Sequence, residues 1–297
     1  MKKLGFFLLF CFVSTSSVFC QKGKQHEFIG TIQLLDKSLI TYKLVFKETG
    51  DGNIEGRSIS DFAGAHRTES RIKGKMDPDN KKISFSEYEN ISTKSDYPDS
   101  TFCYVHIYNA KLTLKKNKSV IQGHFYSRYT DGALCVEGDL YLAGQDQLFA
   151  KMDKATKRAK IFVKDEKLAK ADKYITETKA NLKDVYLKED DQLNFKTKSR
   201  MVYLKIWDAE HEDGDRISVY QNDKVILDNY KVVKEPKMLL ITIDQQTEDI
   251  KIVANNEGRI PPNSANIAVI DNKDLTPMKV ALNKGKEVTL KFQKIDD

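Results

Sequence analysis

From Glu27 to Gly144 apolar and polar residues alternate, as in Ile40, Tyr42, Leu44 and Phe46 against Thr41, Lys43 and Lys47. A period of two puts one face of an extended chain into a core and the other into water, so this region predicts half-buried β-strands. Turn-forming clusters at Asp36-Lys37, Thr49-Gly50-Asp51-Gly52-Asn53, Asp77-Pro78-Asp79-Asn80, Lys116-Asn117-Lys118 and Thr130-Asp131-Gly132 separate about eight such strands, with no helical stretch between them. An up-and-down antiparallel arrangement follows. The alternation changes phase near Asn109-Ala110, between Tyr104, His106 and Tyr108 and the later Leu112 and Leu114, which predicts a bulge or break.

A short pattern, apolar-x-Gly-x-(apolar or small), recurs at Phe28-Gly30-Ile32, Ile54-Gly56-Ser58, Ile72-Gly74-Met76, Ile121-Gly123-Phe125 and Val136-Gly138-Leu140. The glycines fall on the apolar face, where a missing side chain lets a sheet bend sharply and approach itself, as a small closed barrel requires. The expected form is an antiparallel, lipocalin-like or avidin-like barrel over residues 21–145. Such a barrel holds one small ligand or is filled by its own side chains, and the pattern leaves both open.

Beyond Gln145 the pattern changes. Lys, Ala, Glu and Asp dominate to Ser199, with apolar positions at Leu168, Ala171, Ile175, Leu182, Val185 and Tyr186 at helical spacing. Residues 146–199 are therefore expected to be a helical connector. From Met201 strand-like segments return: Val202–Trp207, Ile217–Tyr220, Val225–Leu227, Leu239–Ile243, Ile250–Ala254, Ile267–Ile270, Met278–Leu282 and Val288–Phe292. Gln221-Asn222-Asp223-Lys224 reads as a tight hairpin turn, because Asn and Asp tolerate positive φ. Many short strands at close spacing suggest a β-sandwich over residues 200–297. The expected fold is mainly β throughout.

The chain begins with Met1-Lys2-Lys3 and the apolar run Leu4 to Val13, far shorter than the roughly 20 residues of a membrane span. Ser14 to Ser17 break the run, and Val18-Phe19-Cys20 precedes Gln21, so residues 1–20 read as a cleaved signal peptide. A lipidated Cys20 is the rival reading, disfavoured by bulky Phe19 where lipoprotein sites take small residues. Removing the signal leaves Cys103 and Cys135, which in an oxidising compartment read as one disulfide. A catalytic or metal-binding cysteine is the alternative. In a simple meander Cys103 opens the sixth strand and Cys135 the eighth, about 9–10 Å apart and outside disulfide reach. Either the barrel end pinches or the strand count is wrong.

Net charge is +6, with 49 Lys and Arg interspersed among 43 Asp and Glu. That balance argues against a dedicated nucleic-acid binder. The lysine-dense tract from Lys151 to Lys173 could contact an acidic surface polymer, but the plainer reading is a solvated helix face. No transmembrane segment is expected in the mature chain.

The densest polar cluster is Asp208, Glu210, Glu212, Asp213 and Asp215 around Gly214. Hard oxygen ligands so close together suit Ca²⁺, although no Glu stands at the closing position of an EF-hand loop. A solvated acidic turn is the plainer reading, and a glycosidase-type carboxylate pair is a third. The tandem prolines of Asn255-Asn256-Glu257-Gly258-Arg259-Ile260-Pro261-Pro262-Asn263 stiffen that loop, whose Glu257, Arg259 and Asn263 are candidates to meet a glycan or peptide. Of the five histidines, His106 and His124 fall on strands expected to be neighbours and lack a nameable third metal ligand. There is no Gly-x-Ser-x-Gly elbow, His-Glu-x-x-His or phosphate loop.

Trp207-Asp208 followed by Glu212-Asp213-Gly214-Asp215, Ile217 and Tyr220, then Glu257-Gly258 and Ile260-Pro261-Pro262-Asn263, resembles the C-terminal domain of secreted two-domain proteins of Bacteroidetes. Ser58-x-Ser60-Asp61, Gly64 and Ile72-x-Gly74 are similar to N-terminal material of the same group. The resemblance implies export and a non-enzymatic β-module and carries over no catalytic residues. The sequence thus leads to a secreted or periplasmic, non-catalytic binding protein. Its expected partner is a glycan or cell-surface component, its only cofactor candidate is Ca²⁺, and nucleic acid is not among its partners. The alternatives are a hydrolase using residues 208–215 and a carrier of a small apolar ligand.

Overall fold

The computed structural model describes residues 24–61, 64–115, 118–162, 185–209, 211–272 and 274–295. The segment read as a signal peptide lies outside them. The alternating N-terminal region forms β1 (Gln25–Leu34), β2 (Leu39–Gly50), β3 (Asn53–Ser60), β4 (Thr68–Asp77), β5 (Lys82–Thr93), β6 (Tyr104–Lys115), β7 (Lys118–Arg128) and β8 (Leu134–Gly144). Each pairs antiparallel with the next, β8 returns to β1, and the ladder closes into an eight-stranded barrel. Inward positions supply one core, in which Phe28, Tyr42, Phe46, Phe85 and Phe125 are at most 2% exposed.

The inward glycines explain why the barrel can be so tight. A Cβ at Gly30, Gly56 or Gly138 would stand 2.0 Å from the backbone oxygen of Tyr141, Val45 or Gln33 on the adjoining strand. The phase change expected at Asn109-Ala110 is a register shift between Ile107 and Lys111, with Asn109 at φ 53°. Cys103 and Cys135 lie at disulfide distance, with Cα atoms 6.1 Å apart. The barrel end pinches. Cys103 precedes the first residue of β6, and β7 slips one register position against β8 between Tyr126 and Arg128, beside Cys135.

The helix α1 (Gln145–Phe162) begins at the end of β8, with Asp146 in its first turn, where the helix dipole favours an acid. Gln145 donates to Glu27 at 2.7 Å and Gln147 accepts from the Ser119 N–H at 3.0 Å, which fastens it to the barrel. The expected helical connector over 146–199 needs correction. Leu168, Ala171, Ile175 and Leu182 lie outside the described residues, and β9 (Val185–Leu187) and β10 (Gln192–Thr197) are strands. Val185, Leu187, Leu193 and Phe195 repeat with period two and are at most 4% exposed. Val185 and Tyr186 match helical spacing equally well over so few residues, and cross-strand partners decided the outcome.

The remaining strands are β11 (Met201–Trp207), β12 (Arg216–Gln221), β13 (Lys224–Lys231), β14 (Lys237–Thr242), β15 (Thr247–Ala254), β16 (Asn263–Asp271), β17 (Asp274–Leu282) and β18 (Glu287–Lys294). Asn222 and Asp223 have φ of 46° and 66° in the turn between β12 and β13, as the hairpin reading requires. β14, β11, β16, β17 and β9 form a separate five-stranded sheet, and its buried residues share one apolar cluster with those of β10, β12, β15 and β18. The barrel sheet continues into this region. The end of β5 parts from β6, stays paired with β4 and takes β10 on its other edge through Thr93 and Ser92, and β10 runs parallel to β18. Among the described residues no helix is long and apolar enough to cross a membrane.

Candidate functional site

The two segments singled out near the C-terminus are one structural unit. The turn 208–215 follows β11 and the loop 255–262 follows β15, and backbone groups of one are capped by side chains of the other. Asn256 accepts from the Arg216 N–H at 2.7 Å and donates to the Gly214 carbonyl at 2.8 Å. Asn263 donates to the Arg216 carbonyl at 2.9 Å and the Asn256 carbonyl at 3.0 Å. Asp213 accepts from the Ile260 N–H at 2.8 Å and Asp215 from the Ser264 N–H at 2.7 Å. Asp213, Gly214 and Asp215 are thus tied reciprocally to the loop and strand start that carry Asn256, Ile260 and Ser264.

Those ties divide the proposed metal ligands. Asp208, Asp213 and Asp215 are buried. Glu212 is exposed and spends its carboxylate on the Lys234 N–H at 2.7 Å, and Glu210 lies outside the described residues. Among the described residues no three His, Cys, Asp or Glu side chains gather as a complete metal centre. Of the proposed binding residues, Arg259 is exposed, Glu257 accepts from the Lys284 N–H at 3.0 Å, and Asn263 is 2% exposed and internally bonded. Asn263 is thus a tie within the fold rather than a ligand-facing group.

The electrostatics of the pair Asp213 and Asp215 are unusual. Burial, together with the neighbouring charges of Asp213 and Asp208, pushes the Asp215 carboxyl up to about 6, against the opposing hydrogen bonds from Ser264. Among the described residues the Oδ1 atoms of Asp213 and Asp215 are buried without a hydrogen-bond partner. Both face Gly258, where a Cβ would stand 2.7 Å and 2.6 Å from them. Gly258, at φ +60°, is required both by the backbone turn and by this approach.

A second feature gave no sequence signal, because its residues come from separate strands. Where the end of β5 pairs with β10, a cleft of about 480 Å³ is lined by Asn90, Ser92, Tyr97, Phe102, Gln192 and Asn194, among others. A neighbouring cleft of about 450 Å³ shares Asp96 and Gln192 and includes Arg67. Asn90 Nδ2, Ser92 Oγ and Arg67 Nη1 are buried with no hydrogen-bond partner among the described residues. Tyr97 is 63% exposed and stacks on His66 at 5.5 Å.

The histidine pair is split between different partners. His106 stacks on Tyr126 at 5.3 Å, and His124 lies 3.4 Å from Asp139 and 3.6 Å from Glu137 on the barrel surface. Compared with protein-family models, curated proteins and solved structures, the chain matches none.

Proposed function

We propose that this chain is an exported, non-catalytic binding protein that takes a glycan in the cleft between barrel and C-terminal sheets. One observation carries the reading: Asn90 and Ser92 line that cleft with polar atoms that have no hydrogen-bond partner among the described residues. Buried polar atoms almost always have partners, and ligand hydroxyl groups answer both. Tyr97 and Phe102 add ring faces, and Gln192 and Asn194 add side-chain amides, the mixture of apolar surface and a few polar groups typical of ligand sites. Residues 200–297 with β10 are read as a β-sandwich, the two sheets facing across their common core. The signal peptide at 1–20, the division at 145 and 200, and kinship with the secreted Bacteroidetes proteins belong to the same proposal.

The packed barrel core weighs against an apolar-ligand carrier, because Phe28, Phe46, Phe85 and Phe125 occupy the space such a ligand would need. The burial of Asp213 and Asp215 weighs against a hydrolase, since a substrate must reach its carboxylates. The test is a glycan array, followed by titration calorimetry of any hit against the parent protein and Tyr97→Ala, with envelope fractionation and mass determination of the mature N-terminus. The expected result is binding that weakens about three- to tenfold on loss of the Tyr97 ring, and a chain starting at Gln21. A silent array together with no envelope association would overturn the proposal.

A further inference from the structure

Three carboxylates, those of Asp208, Asp213 and Asp215, are brought into one buried turn. Asp213 is 7% exposed and Asp215 1%, and each keeps one oxygen, Oδ1, with no hydrogen-bond partner among the described residues. These two oxygens converge on the same space beside Gly258, where even a methyl group would collide with both. Their other oxygens accept only from neutral groups, the N–H of Ile260 and the N–H and hydroxyl of Ser264. Like charges this close in a water-poor environment repel strongly unless a cation or a proton stands between them.

We propose that Asp213 and Asp215 bind a calcium ion through their facing Oδ1 atoms, and that the ion locks the loop 255–264 onto the turn 208–215. The donors are hard oxygens, and no Cys or His takes part, which favours calcium over zinc. Because the described residues gather no third such side chain, carbonyl oxygens and water complete the shell of about six to eight oxygens. Gly258 lets the loop come this close to the turn, because a side chain there would collide with both carboxylates.

The test is calcium titration calorimetry on the full chain after chelation, with Asp213→Asn, Asp215→Asn and, as a control, Glu212→Gln. Terbium serves as a second probe, its luminescence sensitised by Trp207, the chain's single tryptophan, which immediately precedes Asp208. The expected result is one ion bound per chain, with a dissociation constant of about 10⁻⁴–10⁻³ M, the range of extracellular calcium modules. Each Asn variant weakens binding by about tenfold or more as a charged ligand is lost, and Glu212→Gln leaves it unchanged. Calcium at a hundredfold excess over its dissociation constant raises the melting temperature by about 5 °C in the parent and not in the two variants. In chelator the Asn variants melt no lower than the parent, because each removes a repulsive charge, so a failure to fold is not expected to mask the outcome. No heat and no terbium signal in the parent overturns the proposal, as does calcium affinity retained by both Asn variants.

Discussion

Glu69 offers the sharpest test of how the barrel is held to the rest of the chain. Its side chain is fully enclosed, and its two oxygens accept from Arg67 and Arg57, each at 2.9 Å. Arg67 is 3% exposed, and Arg57 also donates to the carbonyl of Leu275 in the C-terminal region at 2.8 Å. Burial favours the neutral Glu69 acid, but the two guanidinium groups more than offset it and hold the carboxyl below its ordinary value. Glu69→Gln keeps the shape and removes the charge, stranding the buried Arg67 cation, and uncompensated buried charges cost about 3–5 kcal/mol. Urea unfolding at neutral pH should show a loss of that size. Glu89→Gln is the internal comparison, because Glu89 is 31% exposed and its partner Arg71 keeps Asp274; there the loss should stay below about 1 kcal/mol. The sign with pH follows from the lowered value. The Glu69 contribution is complete above the unfolded carboxyl pKa of about 4.3 and is lost as pH falls through the lower folded value, so parent and variant should converge in acid. Equal losses for Glu69→Gln and Glu89→Gln, or a gap that widens in acid, would refute the reasoning.

Two further outcomes are expected. Glu87 accepts from the Tyr42 hydroxyl at 2.6 Å, the Ser58 hydroxyl at 2.5 Å and the Val105 N–H at 2.8 Å, and burial raises its carboxyl above the ordinary value. Its contribution is then complete below the unfolded pKa and lost as pH rises through the folded one, so Glu87→Gln should gain on the parent in chemical-denaturation midpoints as pH is raised, whereas Glu87→Leu should cost about 1–3 kcal/mol by orphaning the donors. Reducing the Cys103–Cys135 pair, or replacing both with Ser, opens a loop of sequence separation 32 and should lower stability by about 3–4 kcal/mol, measured by thermal melts with and without reductant.

Much of the barrel could be read from residue order, and particular positions show why. Tyr42, Leu44 and Phe46 announce an inward face because period two is a property of the extended chain. Gly30, Gly56 and Gly138 announce closure because only a missing Cβ allows the approach seen there. The turn at Asn222-Asp223 was legible for the same local reason, positive φ at both residues. The strands β9 and β10 were not, since Val185 and Tyr186 fit two periods and their partners, β17 and β18, lie about a hundred residues away.

The candidate sites divide along the same line. Local chemistry marks Asp213, Asp215 and Gly258 as unusual residues, but their spacing along the chain cannot say that the two carboxylates face one glycine across two loops. The cleft lined by Asn90, Tyr97 and Asn194 left no trace in the order of residues. It exists because the end of β5 keeps β4 on one edge and takes β10 on the other, bringing barrel and C-terminal strands side by side. Periodicity, turn chemistry and steric permission act over a few residues and are written in the chain. The partners of an unsatisfied polar atom, and the charges that surround a carboxylate, depend on which distant strands come to lie beside it.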